Sequence, residues 1–364
     1  MPNCRRPGGP ISPTCSCEAC LFPPPRLEER PPSALRLTAP ELEDILARAD
    51  AASGRSPDDV FRLNEKLGWR MVALPGMEES LLRIKNMLGP APEQGERTLP
   101  RLILILAGGQ AVESSPLVSC EYSRPSSDGW QRIDLSPLHL YRRWDTLDLI
   151  CEFQGSGAPE AKDQWLPSML VPVYLRVIET GGAVLHAAAV ERNGYAYLLP
   201  GKSGSGKSTC CGRIVPPWRV LCDDLALAVP AGDSGFLVHP LPTWSDTLWN
   251  GEEGVWHTER GFPLRGVFFL EHGERDESFP LGKSEASVNL WQAAMGGMLP
   301  WRGRLGLETR RSVEEQLFDT AIRSVKTIPA FRLRVARDGA FWKEMEEALA
   351  RRIFPEWERG RVCP

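Results

Sequence analysis

The residues best able to do chemistry stand together in GKSGSGKST, where Gly201, Gly206, Lys207 and Ser208 satisfy the spacing G-x-x-x-x-G-K-[ST]. Glycines let a backbone turn its N–H groups inward around a polyphosphate, and a helix starting at the end of the loop adds partial positive charge there. Lys207 can then reach the β- and γ-phosphates, and the Ser208 hydroxyl can ligate Mg²⁺. Gly201, Lys202, Ser203, Gly204, Ser205, Gly206, Lys207, Ser208 and Thr209 are therefore the expected cradle of a nucleoside triphosphate with Mg²⁺, in a chain that binds one or descends from one that did. The motif requires a strand before it and a helix after it. A short aromatic and aliphatic run at 195–199 supplies the first, and a helix stopped by Pro216 and Pro217 the second. Without those flanks the same composition would be a Gly/Ser surface loop.

A second group follows at once. The strand expected at 218–222 ends in Asp223 and Asp224, and acidic residues at the end of a strand after such a loop stand where Mg²⁺ and an attacking nucleophile need carboxylates. The plain alternative is a polar turn between strands at 219–222 and 225–229. His186 lies on a strand at 183–190, ahead of an Asn193-Gly194 hairpin turn. Taken alone, a histidine on a strand is more often a packed interior residue than a catalytic one. HPLPTWSD at 239–246 reads as a rigid loop bordering an acceptor site, with Trp244 either stacking on a ligand or simply packed.

These groups need elements to hold them, and the chain is long enough for two or three domains at 364 residues. With 42% hydrophobic and 25% charged residues the composition is that of an ordinary globular protein. A formal net charge of −4 gives no whole-chain attraction to nucleic acid or an anionic membrane, so neither is an expected partner. The sequence has neither an apolar run of membrane-spanning length nor the hydrophobic core of a signal peptide, and a cytoplasmic protein is expected. Ten irregularly spaced cysteines suit a reducing compartment. Residues 1–33 are a proline-dense, disordered tail. Cys4, Cys15, Cys17 and Cys20 within it are spaced so that thiolates could hold zinc or an iron–sulfur cluster, though no second knuckle follows and a metal-free tail is the reading kept.

Thr38 and Glu41 have capping-box spacing ahead of an apolar stripe at Leu42, Ile45 and Leu46. Strands at 60–63 and 69–74, a helix at 77–88, and buried strands at 101–106 and 147–153 complete a small α+β domain over 38–155. A helix at 165–180 should kink at Pro172. The catalytic domain is expected over 160–353, with further strands at 266–271 and 331–335 and helices at 312–326 and 340–351. The fold class is thus α/β (α+β): a P-loop catalytic domain with a mixed sheet behind a small α+β domain and a tail.

From Leu185 to Val229 the order of elements resembles the catalytic core of the HPr kinase/phosphorylase family: a histidine on the strand before a hairpin, the Gly-rich loop, then paired aspartates. The resemblance implies that His186 is the active-site histidine, Lys207 the phosphate-binding lysine and Ser208 the metal-binding serine. Asp224 would be the aspartate that takes the proton from an acceptor hydroxyl. WRVLCDD, HPLPTWS, GVFFLE, QLFDT and IPAFRL are also similar to blocks of the SynChlorMet cassette protein ScmC family, the likeness covering about residues 58–350. That family occurs in gene cassettes with radical S-adenosylmethionine enzymes and a small peptide. The two resemblances imply a kinase that uses ATP and Mg²⁺ and acts on a serine of a peptide or protein, or on free serine, with cassette enzymes as partners.

Some features depart from the HPr kinase pattern. No counterpart of its further metal-binding glutamate stretch is evident, which leaves Asp223 for a metal-ligand role. Arg260 and Arg265 are candidates for the catalytic arginine by position only. The rival class is a catalytically silent ATP-binding carrier or regulator of a precursor peptide, and phosphorylase or hydrolase activity through the same residues is a third. Relatives of this fold commonly form homo-oligomers; the sequence leaves the oligomeric state open.

Overall fold

Two mixed sheets organise the chain, each assembled from short strands whose turns and caps are specified locally. The computed structural model describes residues 37–52, 60–89, 99–107, 127–135, 138–153, 166–232, 235–243, 254–303, 305 and 307–353. The Pro/Cys-rich segment at 1–33, with its four cysteines, and Trp244 lie outside the described residues.

The first of two compact units comprises Met1–Arg176, Pro242–Arg260 and Met298–Glu314. Its sheet contains β1 (Val60–Arg62), β2 (Gly68–Ala73), β3 (Arg101–Leu106), β4 (Trp130–Asp134), β5 (Leu138–Arg143) and β6 (Leu149–Phe153), in the order β1-β2-β3-β6-β5-β4. β2, β3 and β6 run parallel, and the outer pairs are antiparallel. α1 (Ala39–Ala52) begins where the Thr38 N–H and hydroxyl both donate to Glu41 Oε2 at 2.7 Å, so the capping box forms. Its Leu42, Ile45, Leu46 and Ala49 then pack with Val72, Ile103 and Ile150 of the sheet. α2 (Glu78–Leu88) buries Leu81, Ile84 and Leu88 and stops at Gly89, whose φ of +86° suits glycine. The expected helix at 165–180 is broken at Leu170 into α3 (Leu166–Met169) and α4 (Val171–Glu179). Pro172 falls in the first turn of α4, where its missing N–H costs nothing.

The second unit comprises Val177–Leu241, Gly261–Gly297 and Glu315–Pro364. Its eight strands are β7 (Ala183–Arg192), β8 (Tyr195–Pro200), β9 (Arg219–Cys222), β10 (Leu225–Ala231), β11 (Gly235–Pro240), β12 (Phe262–His272), β13 (Glu277–Pro280) and β14 (Ala330–Val335). Their order is β11-β10-β7-β8-β12-β14-β13, with β9 also on β7 and β11 also on β12. The β7–β8 hairpin turns at Asn193 and Gly194, with φ of +54° and +82°, as its Asn-Gly sequence demands. β8, β12 and β14 run parallel, so their C-terminal ends lie at one edge of the sheet.

Helices cover both faces. Val190, Leu199, Phe268 and Leu333 meet Cys210 of α5 (Lys207–Arg213) and Phe341 and Met345 of α8 (Phe341–Ile353). Against the other face, Leu290 and Ala294 of α6 (Lys283–Gly297) and Leu317 and Ala321 of α7 (Leu307–Thr327) line a small apolar void with Leu185 and Leu198. His239 and Pro240 belong to β11 rather than to a loop, and His239 is fully buried against Gly261. Alternation of Phe236 and Val238 into the interior carries the strand as far as Pro240.

Candidate active site

β8 ends at Pro200, and the chain crosses to α5 through Gly201–Gly206. Gly204 and Gly206 take φ of +78° and +92°, which glycine allows without strain. A side chain on Gly201 would run into the Ser205 hydroxyl and press on Leu270. The Ser205 N–H donates to Lys202 O at 3.0 Å, and the Lys207 ammonium, almost entirely buried, donates to Gly201 O at 3.0 Å. Ser208 and Thr209 are exposed at the start of α5. Ser205 Oγ is buried with no hydrogen-bond partner. A tight glycine loop with a lysine folded over it and an orphaned hydroxyl within it fits a polyphosphate anion. Among the described residues no group of three or more His, Cys, Asp or Glu side chains could hold a metal.

The acidic pair arrives from the other side of β8. β9 and β10 both pair antiparallel with β7, Cys222 opposite Ala189 and Leu225 opposite His186. They are thus two stretches of one edge, and Asp223-Asp224 is a bend within it rather than a hairpin turn between strands. On the opposite edge of β7, Ala187 pairs with Pro200. Three strands therefore bring the aspartates, His186 and the start of the loop to the same level. Asp224 Oδ1 lies 3.4 Å from His186 Nε2, the carboxylate side chain 32% exposed and the imidazole 12%.

α6 holds the histidine from behind. A Cβ on Gly296 would stand 3.0 Å from the His186 Cβ, and one on Gly297 would stand 2.6 Å from Val184 O. The helix sits this close to β7 because it ends in two glycines. Three thiols surround α5 and the bend without entering the chemistry. Burial pushes Cys210 up to about 11 and Cys222 up to about 12, and raises Cys211 as well. They stay protonated near neutrality and are poor nucleophiles or metal ligands.

Of the two candidate arginines, Arg265 lies over the Tyr195 ring at 4.7 Å, at the opening end of β8. The loop leaves the far end of that strand, about five residues or roughly 16 Å away, so Arg265 is not a residue of this site. Arg260 belongs to the first unit. The sequence reading missed Gly296 and His272, whose Nε2 lies 2.9 Å from Gly204 O. His272 stands one residue beyond the strand expected at 266–271, a place that strand composition alone does not mark.

Comparison with known proteins places these residues in context. The family model of SynChlorMet cassette protein ScmC matches residues 149–350, more than half of the chain. The small ribosomal subunit biogenesis GTPase RsgA of Paraburkholderia xenovorans (strain LB400) is 29% identical over 150 residues, 40% of this chain and 44% of that protein. RsgA of Paraburkholderia phytofirmans is 26% identical over 151 residues, 40% and 45% of the two chains. RsgA of Paraburkholderia phymatum is 31% identical over 91 residues, 24% and 26%. The chain spans less than half the length of these curated relatives.

Proposed function

The chain belongs to the SynChlorMet cassette protein ScmC family, and from that premise we propose that it is an ATP-dependent kinase that phosphorylates a hydroxyl, on a peptide or protein serine or a small serine-like acceptor. The observation that carries this reading is the strand register, which gathers Asp224, His186 and the opening of the Gly201–Gly206 loop at one level of one sheet. A protein that only bound nucleotide could use a carboxylate beside the loop for its metal, but would need no second one placed as a base.

Bound ATP·Mg²⁺ would supply the phosphoryl group and charge neutralisation. The loop N–H groups of 201–209 cradle the phosphates, and Lys207 moves its ammonium from Gly201 O onto them. Ser208, with Asp223 at the bend, would hold Mg²⁺. Asp224 accepts the proton of the acceptor hydroxyl as that oxygen bonds to the γ-phosphorus and the bond to the departing diphosphate breaks. His186 orients the Asp224 carboxylate from 3.4 Å. In a loose transition state the alcohol loses its proton late, so positioning matters more than basicity.

The same proposal includes the α+β domain over 38–155 and the catalytic domain over 160–353, a cytoplasmic setting, cassette enzymes as partners and no nucleic-acid partner. Among the described residues no helix is long and apolar enough to cross a membrane. The similarity to proteins named GTPases favours a second reading, nucleotide hydrolysis, and with it GTP as the nucleotide.

The destination of the label decides between them. The protein is incubated with γ-labelled ATP or GTP, Mg²⁺ and a panel of free serine, free threonine, serine-containing peptide or no acceptor. We expect label from ATP on one acceptor. Label released only as inorganic phosphate, whether or not acceptor is present, would replace the kinase with a hydrolase.

A further inference from the structure

β8 has β7 on one side and β12 on the other, and the β12 side has no part in the mechanism above. β12 runs parallel to β8 with Val267 opposite Leu198, so its C-terminal end reaches the level of the loop. Leu270 lies beneath Gly201. The next two side chains fall on opposite faces, as strand alternation requires. Glu271 is engaged by Arg332 at 3.2 Å. His272 turns to the loop, its Nε2 2.9 Å from Gly204 O and its Cε1 within van der Waals range of a side chain placed on Gly206.

A carbonyl oxygen can only accept, so the His272 ring must donate through Nε2–H. That bond has a specific consequence for the loop. The Gly204–Ser205 peptide has its C=O held by His272 and its N–H held by Lys202 O at 3.0 Å. Gly204, at φ +78°, can change its backbone conformation at little steric cost. Without an anchor this peptide could rotate and turn its carbonyl, rather than N–H groups, towards an incoming anion. Lys207 is anchored on Gly201 O at the start of the same loop, whereas His272 contacts its middle from the neighbouring strand.

We propose that His272 is a positioning residue of the nucleotide loop: by donating Nε2–H to Gly204 O it keeps that carbonyl turned outward and the loop preorganised to receive a nucleoside triphosphate. This rests on the reading of the loop as a nucleotide site, not on the identity of the acceptor. The role needs a donor at the reach of Nε2, which glutamine can supply and alanine cannot.

The test is equilibrium binding of fluorescent N-methylanthraniloyl ATP and GTP, with Mg²⁺, to wild type, His272→Ala and His272→Gln, together with thermal unfolding of each protein without nucleotide. Loss of one preorganising hydrogen bond should raise the Kd roughly five- to tenfold in His272→Ala. His272→Gln should return it to within about twofold of wild type. Because His272 is exposed at a strand end, the unfolding midpoints should coincide. Wild-type affinity in His272→Ala would overturn the proposal alone. Equal weakening in both variants would assign the effect to ring packing and overturn the hydrogen-bond role. Absence of binding by wild type to either nucleotide would overturn the nucleotide reading of the loop, and this role with it.

Discussion

Exposure divides the work between Asp224 and His186: the carboxylate side chain is 32% exposed and can meet an acceptor, whereas the imidazole is 12% exposed and packed behind it. In the mechanism proposed above the histidine orients the aspartate, so its loss should cost less than loss of the carboxylate itself. A different residue sets a pH dependence in the first unit. Glu259 is 8% exposed, its Oε1 accepts the Arg62 N–H at 2.7 Å, and its Oε2 is buried without a partner. Burial raises its carboxyl from the ordinary 4.5 to about 7, opposed by the Arg62 N–H and the Arg62 charge. Because the folded value lies above the unfolded one, this group's contribution to stability is fully present below about pH 4.5 and is lost as pH rises through 7. Glu259→Gln keeps the acceptor and removes the charge. Chemical unfolding should show it more stable than wild type at pH 8, by on the order of 2–3 kcal/mol, with the difference vanishing at pH 4.5. A difference independent of pH would contradict the assignment.

Among the elements, α6 makes the sharpest prediction because two expectations oppose each other at Gly296. Glycine to alanine inside a helix ordinarily stabilises by about 1 kcal/mol. Here the new Cβ would crowd the His186 Cβ from 3.0 Å. The helix gain and the crowding partly offset each other, so Gly296→Ala should shift the unfolding midpoint by no more than a few degrees while phosphoryl transfer falls roughly tenfold, an effect of displaced geometry rather than lost fold. Unchanged transfer would mean that His186 needs no fixed position. α6 was illegible in the sequence for a related reason. Apart from Leu290 it buries small side chains, Ala286, Ser287, Ala294 and Gly297, and one leucine makes no apolar stripe to read. β4 and β5 were missed because WQRID and LHLYRR carry charged and polar residues, with Gln131 and Arg142 buried. Elements with explicit local chemistry were legible. Thr38 with Glu41 starts α1, Asn193-Gly194 turns β7 into β8, and Gly89 ends α2.

For the whole molecule, every residue placed in the site lies within the second unit, in stretches that the ScmC family model also spans. The loop and the acidic pair could be found in the sequence because each is a run of adjacent residues. That β9 and β10 form one interrupted edge of β7, and that β12 brings His272 to the loop, depend on pairings between distant stretches that no local pattern encodes. The kinase proposed for this chain transfers phosphate with Asp224 as the proton acceptor. That role is tested most directly by single-turnover transfer from γ-labelled ATP to the acceptor in wild type and Asp224→Asn, with nucleotide Kd measured on the same samples. Transfer should be slower by on the order of 10²–10⁴-fold in Asp224→Asn at an unchanged Kd. Equal transfer rates in the two proteins would contradict it.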